Sequence, residues 1–94
     1  MKILGLIWLE DIVEKLWRKH HVRQNEVEEI FENDPYFRHV EKGDRPGEDL
    51  YSTMSQTDGG RYLIVFFIYK KNQWALIVST RNMEPEERKI YEER

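Results

Sequence analysis

A chain of 94 residues has room for one domain, and its 39% hydrophobic and 13% aromatic content fills one modest core. The formal charge of −3 argues against an indiscriminate nucleic-acid binder, and 35% charged residues make a densely ionic surface. The absence of cysteine excludes a disulfide framework, thiol catalysis and a thiolate zinc ribbon, and it fits a reducing compartment.

Taken in order, residues 2–8 alternate loosely and end in Trp8, which predicts a first strand. The opening run MKILGLIWL is too short for a signal peptide, and Glu10 and Asp11 follow it without a small-residue cleavage site. No segment approaches a membrane span, so a cytoplasmic location is expected. Asp11 with Glu14 forms a capping-box pattern, and Leu9, Ile12, Val13, Leu16 and His20 fall at helical spacing, with Trp17 widening the stripe. This predicts a helix over 11–20. His21 follows it, a residue type that tolerates the left-handed conformation at a helix end.

Asn25 with Glu28 predicts a second capped helix, whose apolar face is Val27, Ile30 and Phe31; Asn33-Asp34-Pro35 stops it. A short strand over 36–40 leads into a charged, Gly- and Pro-containing loop over 41–49, the segment expected to be most mobile. A strand over 50–56 ends at the hairpin signal Thr57-Asp58-Gly59-Gly60. Two further strands meet at a turn over 70–73. Leu63, Val65, Phe67 and Tyr69 alternate with Ile64, Phe66 and Ile68, so both faces are apolar and a central strand is predicted. Pro85 opens a last helix over 84–93. Residues 1–94 thus read as a single α+β domain: a small antiparallel sheet with two N-terminal helices and a C-terminal helix, in the order strand-helix-helix-strand-strand-strand-strand-helix.

The charges are segregated. Residues 15–25 hold four Lys/Arg and two His with no acid, residues 61–81 hold four Lys/Arg with no acid, and residues 26–34 hold five acids with no base. Solvated faces would explain this without any function. Arg18-Lys19-His20-His21 reads either as cations favoured at a helix C-terminus or as a phosphate-contacting patch with a proton-transferring histidine. Arg81, with Glu87, Arg88 and Tyr91, reads either as a network pinning the last helix or as a phosphate site, for which the planar arginine fork is suited. No Gly-rich phosphate loop, dinucleotide fingerprint or serine elbow is present. A metal site would need the fold to bring His39 to His20 and His21.

These residues resemble a family. Trp8, then Arg18-Lys19-His20-His21-Val22, Glu28-Glu29-Ile30-Phe31-Glu32, Gly60-Arg61-Tyr62-Leu63-Ile64-Val65, and Ile77-Val78-Ser79-Thr80-Arg81-Asn82-Met83 with Glu87-Arg88 and Tyr91 are similar, in order and spacing, to BrnT-type toxins. The resemblance implies a RelE-like α+β fold and a ribonuclease that works without a metal or other cofactor. It also implies a cognate partner, a BrnA-like ribbon-helix-helix antitoxin. The chemistry implied is attack of a ribose 2′-oxygen on the adjacent phosphate. Carried over by position, His20, Arg61 and Arg81 are the candidate catalytic residues, and Lys19, Arg88 and Tyr91 the candidate RNA-binding ones. This chain has His21 where the family usually has Gly, and Asn82 where it usually has Asp. Leu9, Ile12 and Leu16 stand at places that are commonly polar, making the first helix a surface for a partner, a second copy of the chain included. The competing readings are a non-catalytic interaction module and a stand-alone RNA-binding domain.

Overall fold

The computed structural model describes Met1–Arg94. Its elements are β1 (Gly5–Ile7), α1 (Glu10–His20), α2 (Gln24–Glu32), β2 (Tyr36–Glu41), β3 (Leu50–Gln56), β4 (Tyr62–Tyr69), β5 (Trp74–Asn82) and α3 (Pro85–Glu93). This is the α+β order that the patterning predicts. The five strands form one sheet in the order β1-β5-β4-β3-β2, so the doubly apolar β4 is central.

The two faces of β4 organise two cores. Leu63, Val65 and Phe67, with Ala75 and Ile77 of β5, meet Leu16 of α1, Val22, and Val27 and Ile30 of α2. Phe67 also holds the rings of Phe31, Phe37 and Tyr51 with centroids 5.3, 6.0 and 6.0 Å away. On the opposite face Ile64 packs with Met54 of β3 and Tyr91 of α3, flanked by Tyr36, Tyr62, Phe66 and Met83. Each fully buried large side chain contributes about 1.5–3 kcal/mol of transfer free energy. The first core is the larger, and it fixes where α1 and α2 lie.

Three local features depart from expectation. First, β1 pairs with β5 in parallel, with Gly5 opposite Trp74 and Ile7 opposite Leu76, so the sheet is mixed and only mostly antiparallel. Alternation in a short strand carries no information about the direction of its partner. Gly5 leaves room for the Trp74 ring: a Cβ there would lie 2.6 Å from it, so a larger residue would displace that exposed ring. Second, the predicted capping boxes shift. Leu9 is the N-cap of α1, without a side-chain cap bond, and Arg23 is that of α2, where the Glu26 carboxylate accepts the Arg23 N–H at 3.0 Å. Asp11 and Asn25 lie inside the helices instead. Third, β5 carries a bulge: Phe66 faces Ser79 but Phe67 faces Ile77, leaving Val78 as the extra residue. The left-handed end of α1 is as expected, with His21 at φ 53° and ψ 40°.

Candidate functional site

The open end of the β4–β5 hairpin lies beside the C-terminus of α1. Leu63 faces Asn82 and Ile64 faces Arg81, so Arg61 and Arg81 come to the same end of the sheet. The bulge decides the side that Arg81 takes. Without it, Ile77, Ser79 and Arg81 would share the face under α1 and α2. With Val78 inserted, Thr80 and Asn82 take that face and Arg81 turns toward α3.

Arg61 reaches the other way. Its Nη1 donates to the His21 carbonyl at 2.9 Å and to both Glu26 carboxylate oxygens at 3.1 Å. Its Nη2 donates to the His20 carbonyl at 3.3 Å and to Asn82 Oδ1 at 3.2 Å. The guanidinium therefore satisfies carbonyls left open at the negative end of α1, and only its Nε–H remains free.

Arg81 is held fork to fork by Glu87, with Nη1–Oε1 at 2.7 Å and Nη2–Oε2 at 2.9 Å. Its Nη1 also donates to the Asn82 carbonyl at 3.2 Å, and its Cζ lies 5.5 Å from the centre of the Phe66 ring. The hydrogen bonds from Arg81 hold the Glu87 carboxyl below the usual carboxylate range, against the opposing effect of burial. The same bonds raise Arg81 above its ordinary value. Glu87 takes the two Nη groups end-on, so Nε–H and the second Nη2 proton of Arg81 stay free as one side-on edge, the geometry that matches two phosphate oxygens. Asn82 thus joins both guanidiniums, with its side chain on Arg61 and its carbonyl on Arg81.

The other candidates are distributed unevenly. His20 is half-buried, its carbonyl engaged by Arg61 and its imidazole without a hydrogen-bond partner in the chain. Lys19 is exposed and makes no ion pair, whereas Arg18 lies 3.8 Å from Glu14. Arg88 stacks on Tyr62 with Cζ 3.9 Å from the ring centre and pairs with Glu92 at 3.2 Å, on the α3 side with Arg81. Tyr91 is buried. Its hydroxyl points inward, 3.4 Å from Ser55 Oγ, and its ring is covered by Arg94. His39 is far from His20: on β2 it pairs with Asp49 at 2.9 Å, and the other Asp49 oxygen accepts the Gly43 N–H. That N–H, then His39, lowers the Asp49 carboxyl below its ordinary value. No three His, Asp or Glu side chains converge as a metal site.

The hairpin end therefore divides the candidates between two faces: Arg61, the Asn82 side chain and the His20 end of α1 on one, Arg81 with Arg88 and the buried Tyr91 on the other. Over residues 8–87 the chain matches the family described as ribonuclease toxin, BrnT, of type II toxin-antitoxin systems. It belongs to that family. The family implies an antitoxin as partner. A search of curated proteins gives no match. The matched span includes His20, Arg61, Arg81, Asn82 and Glu87, and ends before Arg88 and Tyr91.

Sequence reasoning missed three contributors. Glu26 sits in an acidic run that gave no sign of which carboxylate would hold Arg61. Arg94, at the C-terminus, binds Asp34 and stacks on Tyr91. Arg38 of β2 lies opposite Ser52 and close enough to Glu87 to help lower its carboxyl. Alternation along β2 could have placed Arg38 on one face of its strand, but not beside α3.

Proposed function

We propose that this chain is a metal-independent endoribonuclease of RelE-like architecture that cuts RNA, halts translation and growth in the cytoplasm, and is silenced by a BrnA-like ribbon-helix-helix antitoxin. What supports the reading, beyond family membership, is that Asn82 links two guanidiniums on opposite faces of one hairpin end, and that Arg61 also holds the main chain of His20, whose imidazole has no internal partner.

In this reading the free side-on edge of Arg81 binds the scissile phosphate and stabilises the charge that builds on it. Arg61 adds positive potential while its hydrogen bonds hold the end of α1, and so fix His20, in place. His20 takes the 2′ proton or delivers a proton to the departing 5′-oxygen. Lys19, exposed on the same helix end, contacts the RNA backbone as a mobile point charge, and Arg88 extends the cationic surface from its seat on Tyr62. Tyr91 acts through packing, because its hydroxyl faces Ser55.

The test is cleavage of a defined RNA by purified protein in the presence of a chelator, with product ends read by mass spectrometry. A 2′,3′-cyclic phosphate is expected, and His20→Ala and Arg81→Ala are each expected to lower the rate by about a hundredfold or more, while remaining folded by circular dichroism. Intact RNA with folded wild-type protein, together with normal growth of cells expressing it, would overturn the reading.

A further inference from the structure

A long trough follows α2 on the helical side of the molecule. One part, of about 540 Å³, has Ile3, Leu6, Trp8, Phe31 and Phe37 among its walls. The next, of about 720 Å³, runs between α1 and α2 past Val13 and Trp17, where Arg23 stacks on the Trp17 ring. Gln24 and Glu28 border both, so the two are continuous. Leu9 and Trp17, at 48% and 47% exposure, add apolar surface on α1 nearby.

Two carboxylates on the edge of the trough have no direct partner, although Arg23, on the Trp17 ring, lines its far part. Of the α2 glutamates, Glu26 holds Arg61 and Glu29 accepts the Asp58 N–H at 3.0 Å. Glu28 and Glu32 line the trough one helical turn apart, and neither has a hydrogen-bond or ion-pair partner. Like charges at that spacing repel, and exposed aromatic surface is unfavourable in water. One occupant relieves both: an apolar segment that carries cations. RNA does not fit, because the carboxylates repel phosphate. A second copy fits poorly, because it brings its own net charge of −3. Membership of a toxin-antitoxin family supplies a protein partner.

We propose that this trough is the docking site of the antitoxin. An amphipathic segment sets apolar side chains against Trp8, Phe31 and Phe37, and Lys or Arg side chains against Glu28 and Glu32. The far end of the trough reaches Trp17, whose ring lies 5.3 Å from that of His21. An occupant therefore also covers the approach to the His20 end of α1. This rests on the antitoxin partner of the proposed function, and not on the ribonuclease chemistry.

The probe is the product of the reading frame adjacent to this one, titrated against full-length chain. Both glutamates are exposed, so charge reversal leaves the fold intact. Glu28→Lys/Glu32→Lys is expected to weaken binding about a hundredfold and Glu28→Gln/Glu32→Gln about tenfold, with wild-type binding falling as salt rises. RNA cleavage by either variant alone should equal wild type, and Arg81→Ala should bind like wild type. Equal binding by all three proteins, or no binding by wild type, would overturn the proposal. So would a dimer of the isolated chain that the charge reversal abolishes. Absence of RNA cleavage in every protein, with the binding pattern intact, refutes the ribonuclease reading and leaves the docking site standing.

Discussion

Replacing Glu87 by Gln isolates the Arg81–Glu87 pair without changing side-chain shape. Glu87 Oε1 accepts both Arg81 Nη1 at 2.7 Å and the Glu84 N–H at 2.8 Å, and a Gln oxygen keeps both contacts as neutral hydrogen bonds. The second contact is lost, because a Gln amide nitrogen opposes Arg81 Nη2 as donor to donor. The side chains of Arg81 and Glu87 are 31% and 19% exposed, so the pair lies between a surface bridge worth about 0–1 kcal/mol and a buried one whose breakage costs about 3–5 kcal/mol. We expect a loss of about 2 kcal/mol at pH 7, or about 10 °C in Tm for a domain of this size. Arg88–Glu92 is the internal control: its side chains are 53% and 50% exposed. Glu92→Gln should therefore change stability by less than about 0.5 kcal/mol.

The sign with pH follows from the direction of the shift. Glu87 is depressed in the folded chain, so the pair stabilises fully above the unfolded carboxyl value of about 4.3. That stability is lost as pH falls through the folded value. Urea denaturation followed by circular dichroism should thus show wild type and Glu87→Gln converging in acid. A difference below about 0.5 kcal/mol at pH 7, or one of unchanged size at pH 2, would refute the reasoning.

Three further outcomes follow from the packing. Arg61→Ala should destabilise by about 2 kcal/mol, because it uncaps α1 and leaves Glu26 without its counter-ion, and Arg61→Lys should recover only part of it, as measured by chemical denaturation. His21→Gly should raise stability by about 0.5–1 kcal/mol, since His21 holds a left-handed φ of 53°; an unchanged or lower Tm would show that the Trp17 contact outweighs the backbone strain. Thr53 and Thr80 flank Val65 across the sheet, fully buried, with hydroxyls that have no hydrogen-bond partner. Thr80→Val is accordingly expected to be neutral or stabilising by up to about 1 kcal/mol in thermal melts.

Much of this molecule is written in local pattern. Helical spacing places Leu16, Val27 and Ile30 in the core, double-sided apolarity marks β4 as central, and turn residues set the hairpin ends. Those signals act over a few neighbouring residues, where backbone stereochemistry and periodicity dominate, and so the order of all eight elements could be read from the chain alone. The charge segregation is also plain in sequence, as is the choice of His21 for a left-handed helix end.

The site required the folded molecule. Period-two alternation in β5 would set Arg81 under α1 and α2, and one bulged residue, Val78, reverses it toward α3. Nothing in the local sequence marks that bulge, because it depends on how β4 and β5 pack over two different cores. The parallel pairing of β1, the choice of Glu26 for Arg61 and the burial of Tyr91 likewise depend on partners far along the chain. Asn82 shows the division most clearly. In the sequence it is one polar residue following Arg81. In the fold it stands at the end of β5, with its side chain on one face of the sheet and its carbonyl within reach of the other, and there it binds both arginines.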